Sequence, residues 1–171
     1  MPFTYTPIAT TTLSSNTTTV TFSSIPSIYT DLVLQAVMLQ SGTATATNGF
    51  FQLNSTTTGY SRTTLQSSGS TVFSGRTPNM DRGYYDLDPT ASGWAFHTYN
   101  FMNYANASIN KTILSRQNFA SNSSNNGSVH LWRNTDAINT ISITCSDNMG
   151  AGVADQFVAG STFTLYGIKA A

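Results

Sequence analysis

Residues 94–104, WAFHTYNFMNY, alternate between two sides with a period of two. Ala95, His97, Tyr99 and Phe101 share one side; Trp94, Phe96, Thr98 and Asn100 share the other. That period belongs to a β-strand, and it recurs along the chain in short runs separated by Gly, Asn and Ser clusters. Composition points the same way. There is no glutamate in the 171 residues, and Lys111 and Lys169 are the only lysines. Both types are good helix formers that normally fill exposed helix faces. In their place, Thr, Ser and Asn supply well over a third of the chain. Threonine fits a pleated, half-buried surface, whereas Ser and Asn compete with a helix for its backbone hydrogen bonds. The expectation is an all-β chain: an antiparallel β-sandwich, jelly-roll-like, of about 8–10 strands.

The strands are expected at Thr17–Phe22, Asp31–Gln40, Phe50–Leu53, Tyr60–Leu65, around Thr71–Phe73, and at Trp94–Tyr104, Lys111–Phe119, Val129–Arg133, Ala137–Cys145 and Ser161–Lys169. Asp31–Gln40 is the most apolar and reads as a central strand covered on both faces, or as one with a face that meets a partner. The polar run NSTTTG at 54–59 reads as a hairpin turn, and Asn126-Gly127 carries a second hairpin signal. Between Arg76 and Gly93 lies the longest stretch without alternation, with two prolines and a concentration of charge. It reads as a long loop, the first place to look for a contact surface. The chain length suits one domain, residues 16–171, joined by an extended N-terminal segment, residues 1–15.

Seven basic and seven acidic side chains cancel. They are scattered singly, so no basic stripe for nucleic acid is present and no nucleic-acid partner is expected. No apolar run is long enough for a helical membrane span, and a membrane partner is not expected. The opening MPFTYTPIATTTL has neither a basic segment nor an apolar core, so synthesis in a cytoplasm is expected. Cys145 is single and sits in a strand-like run, which marks it as a small core residue rather than a reactive thiol. His97 and His130 both fall inside strand patterns and read as packed side chains. Ser128 and His130 lack the glycine context of a nucleophile elbow. Asp86-x-Asp88 is a weak oxygen-ligand pattern without a closing glutamate, better read as a solvated acidic loop. The chain is therefore expected not to be an enzyme, with no catalytic residue, metal or cofactor. The aromatic residues Tyr84, Tyr85 and Trp94 bracket the long loop. They are the candidate partner contacts, as a sugar-stacking platform or an interface anchor, with capping of the core as the competing role.

Two stretches carry a resemblance. Ile8–Leu13 (IATTTL), Phe22–Pro26 (FSSIP) and Tyr29–Leu32 (YTDL) open the chain, and Ala159–Ile168 (AGSTFTLYGI) closes it; HTYNFMNYANASINKTILS in the middle matches more loosely. These segments resemble a family of small virion structural proteins of tailed bacteriophages, common in cyanophages and other aquatic phages. The loop around Tyr84 is not covered. The resemblance implies a β-sandwich on the exterior of a phage particle, made in the host cytoplasm, with no catalytic residues to carry over. The first expectation is a capsid decoration, or cement, protein that binds the major capsid protein and copies of itself, as a homotrimer. The alternative is a tail-fibre or tail-tip module binding host glycan through Tyr84, Tyr85 and Trp94.

Overall fold

A computed structural model describes residues 5–41, 48–68, 70–86, 93–119, 125–145 and 155–169. They form twelve strands: β1 (Tyr5–Thr12), β2 (Thr19–Phe22), β3 (Asp31–Met38), β4 (Asn48–Leu53), β5 (Tyr60–Ser68), β6 (Thr71–Met80), β7 (Gly83–Asp86), β8 (Ala95–Met102), β9 (Lys111–Phe119), β10 (Asn125–Trp132), β11 (Ile141–Thr144) and β12 (Thr162–Ile168). All pairs are antiparallel. One sheet runs β1-β12-β3-β8-β9-β10-β5-β6 and the other β2-β11-β4-β7. Taking the first four strands of the wide sheet with the whole of the narrow one gives two four-stranded sheets joined by repeated crossings between them. This is jelly-roll order. The remaining strands, β5, β6, β9 and β10, are insertions that extend only the wide sheet.

The inward faces follow the alternation. Leu32, Leu34 and Ala36 of β3, Tyr99 and Phe101 of β8, Ile141 and Ile143 of β11, and Phe163 and Leu165 of β12 are all buried. Phe51 of β4 is the hub of the core, with its ring edge-on to Tyr60, Tyr99, Phe101 and His130. Two glycines on the paired strands make room for rings. Gly49 sits opposite Tyr85, and Gly83 sits opposite Phe51. A ring laid across a strand glycine recovers the packing that the missing side chain forfeits. On solvent-facing positions the rungs are hydroxyl pairs: Thr10 with Thr164, Thr12 with Thr162, Thr19 with Thr144 and Thr21 with Ser142, at 3.0–3.2 Å. Such cross-strand pairs take the place that ion pairs hold in more charged sheets.

The β-sandwich expectation holds, and several local expectations are corrected. Arg76–Gly93 is not one long loop, because residues 76–80 finish β6 and residues 83–86 form β7. Every residue of β6 from Thr71 to Asn79 is exposed, on both faces, so burial imposes no alternation on its sequence. As an edge strand it also tolerates Pro78. The run 54–59 is not a hairpin turn; β4 pairs with β7 and β11, and β5 with β6 and β10, so the run carries the chain from one sheet to the other. Asn126-Gly127 lies within β10, with Gly127 opposite Arg116. The β9–β10 connection falls at residues 120–124, outside the described residues. Tyr5–Thr12, expected only as an extended segment, is an edge strand paired with β12.

Candidate binding surfaces

The three aromatic candidates do not converge. Tyr85 is fully buried, edge-on to His97 and Tyr99, and its hydroxyl donates to the Thr144 carbonyl at 3.0 Å. Burial pushes its pKa well up, so it stays a neutral donor. It is a core residue and cannot be a partner contact. Tyr84, its neighbour on β7, necessarily has the opposite parity and stands on the outer face of the narrow sheet. Trp94 is 45% exposed, and its parity with Phe96 puts it on the outer face of the wide sheet, beside Gly160. Tyr84 and Trp94 thus look away from each other, and the three-ring platform is not formed.

The groups with possible chemistry are packed away. His97 and His130 are both fully buried; desolvation lowers each pKa to about 3, with Arg62 adding to the effect at His130. His97 Nδ1 lies 3.1 Å from the Tyr99 hydroxyl, and His130 Nε2 lies 3.2 Å from Ser115 Oγ. The Ser115–His130 pair has the outline of a catalytic dyad, but among the described residues His130 Nδ1 meets no acceptor that would orient the ring as a base. Ser115 is itself buried, as is Ser128, which donates to Thr64 Oγ1 at 2.9 Å. Cys145 is buried, and its thiol is pushed up to about 12 by desolvation and then by Asp155. Its expected role as a core residue is what the structure shows. Asp88 and the side chain of Asp86 lie outside the described residues. Lys111 went unnoticed in the sequence beyond its rarity. It starts β9 with inward parity, and its ammonium donates to the carbonyls of Asn106, Ile109 and Thr135 at 2.6–2.9 Å. It ties two connections to the sheet.

Two exposed features remain. The first is the outer face of the wide sheet, where Leu65, Leu114 and Val129 stand exposed around Gly127 and line an open trough of about 700 Å³. It runs toward β6, whose outer edge has no strand beside it among the described residues. Val72 and Phe73 on that strand are 68% and 52% exposed.

The second is a smaller pocket of about 430 Å³ at the seam where the chain leaves β6 of the wide sheet and enters β7 of the narrow one. Arg62, Thr77, Pro78, Asn79, Met80, Asp81 and Tyr84 line it. Tyr84 is held from three sides. Its hydroxyl donates to Asp81 at 3.0 Å, its carbonyl accepts from Arg62 Nη1 at 3.2 Å, and its ring meets Phe50 edge-on. Arg82 in turn lies over the Phe50 ring and pairs with Asp81 at 3.3 Å. Desolvation, then Asp81, raises the Tyr84 pKa, so the phenol is protonated throughout the neutral range.

No protein-family model matches this chain, and no curated protein does.

Proposed function

We propose that the chain is a virion structural protein of a tailed bacteriophage: a capsid decoration protein that binds the outside of the assembled shell, as a homotrimer, and stabilises it. The observation that carries this reading is the outer face of the wide sheet with its open β6 edge. A two-sided exposed edge strand presents unpaired backbone donors and acceptors together with apolar side chains, the features a lone protomer ordinarily hides. A chain with zero net charge and 8% charged residues also has little repulsion to hold copies apart and little charge to desolvate on contact. The jelly roll is a fold of viral shell proteins, although lectins and cupins share it, so the fold supports the reading without specifying it.

The mechanism is linkage. A protein that binds only the closed lattice stabilises it by about 2.7 kcal/mol per site at a free concentration a hundred times its dissociation constant. The test uses particles lacking the protein. Adding the purified chain back is expected to raise the temperature at which packaged DNA is released, with label visible on the head by electron microscopy. Unchanged DNA release, or label confined to the tail, overturns the proposal.

A further inference from the structure

The pocket between β5, β6 and β7 has a construction that the decoration role does not require. Along β5 from Tyr60 to Arg62 there are two residue steps, while β6 takes three, from Met80 to Thr77. The extra residue is a β-bulge at Pro78–Asn79, and Asn79 adopts a left-handed backbone with φ 53°. Bulges on edge strands re-aim side chains, and Asn is among the few residues that accept this conformation readily. The bulge falls in the wall of the pocket, against a tyrosine fixed by three contacts. A wall shaped by a bulge and a pre-positioned phenol make a site whose parts need little ordering when a ligand arrives.

The ligand chemistry follows from the lining. Arg62 and Asp81 contribute opposite charges, so the pocket selects against a multiply charged ligand such as a nucleic-acid backbone. Thr77 offers a hydroxyl, Asn79 both a donor and an acceptor, Tyr84 a phenol and Asp81 a carboxylate. Pro78 and Met80 add apolar surface among these polar groups. A pyranose has the matching composition, with a ring face of C–H groups surrounded by hydroxyls that both donate and accept. The volume lies within the range of small-molecule sites. We propose that this seam pocket binds a pyranose, as a terminal residue of a surface glycan. The inference does not depend on whether the protein sits on the head or the tail.

Saturation-transfer NMR on the folded full chain tests it, with glucose, galactose, mannose and N-acetylglucosamine each offered at about 10 mM, a concentration suited to millimolar binding. The acyclic hexitol sorbitol serves as the control that lacks a ring face. Transfer to at least one pyranose and none to sorbitol is expected. Asn79→Gly keeps the left-handed backbone and removes the carboxamide; Tyr84→Phe keeps the ring and removes the hydroxyl. Each is expected to weaken binding about tenfold with an unchanged melting temperature, and if one variant misfolds the other still decides. Silence from all four sugars, equal transfer to sorbitol, or binding untouched in a folded variant overturns the proposal.

Discussion

Gly83→Ala places one methyl group against the hub of the core. An ideal Cβ at Gly83 falls 2.1 Å from Phe51 Cζ and 2.4 Å from both Cε atoms. Carbon atoms at rest sit about 3.5–4.0 Å apart, so the ring has to retreat by roughly 1.5 Å. It has no room to do so. Phe51 is fully buried, with Tyr99 and His130 centred 5.8 and 5.1 Å from it. Overpacking of this kind costs about 1–3 kcal/mol, sometimes more, and relief of the glycine's own strand penalty returns about 0.5–1 kcal/mol. Taking the upper end of that cost for so short a contact, the expected net loss is about 2–2.5 kcal/mol. For a chain of this size that lowers the melting temperature by about 4–10 °C in calorimetry. Gly127→Ala is the matched control, because a Cβ there meets nothing within 4 Å. The same chemical change should be neutral there or stabilise by up to about 1 kcal/mol. The pair Gly83→Ala with Phe51→Leu, measured by urea denaturation, should be less damaging than the sum of its parts by at least about 1 kcal/mol. Equal melting temperatures for the two alanine variants would refute the glycine–ring account of this sheet.

Two further outcomes are expected. His97 and His130 have folded pKa values near 3, below the usual 6.5, so the unfolded chain takes up their protons first. Stability is then fully present above pH 6.5 and falls as the pH drops toward 3, by about 2 kcal/mol per histidine at pH 5. Urea unfolding at pH 7.5 and pH 5 reads this directly, and equal stabilities at the two values contradict it. Lys111→Met keeps the aliphatic stem but leaves three carbonyls without their ammonium donor. A loss of about 2–4 kcal/mol is expected by the same assay. A variant as stable as the parent would mean that water replaces the cage.

The sequence was most legible where one face of a strand is buried and the other is not. In β8 the alternation assigned Ala95, His97, Tyr99 and Phe101 to one side, and all four are buried. Where that asymmetry is missing, the pattern is silent. Strand β6 is exposed on both faces, so no alternation was imposed on it; its start around Thr71–Phe73 read as strand, but its continuation from Arg76 to Met80 read as loop. The Tyr84-Tyr85 pair shows a different limit. Strand geometry dictates that one ring points in and the other out, but the two residues are identical, so their order is decided by register against β4, where Tyr85 meets Gly49. Lys111 stood out in the sequence only by its rarity. Its burial is explained by the carbonyls of Asn106, Ile109 and Thr135, which tertiary structure alone brings together. All of the pocket's lining except Arg62 comes from the stretch marked for attention, but its bulge appears only once β5 and β6 are paired.

The hydroxyl rungs on the sheet surfaces have a consequence for the medium in which the protein works. An ion pair on a surface weakens as salt rises, because mobile ions screen it over about 10 Å at 0.1 M and about 3 Å at 1 M. A pair such as Thr12–Thr162 or Thr21–Ser142 carries no charge for those ions to screen. A sheet laced this way holds its rungs alike in fresh water and in brine.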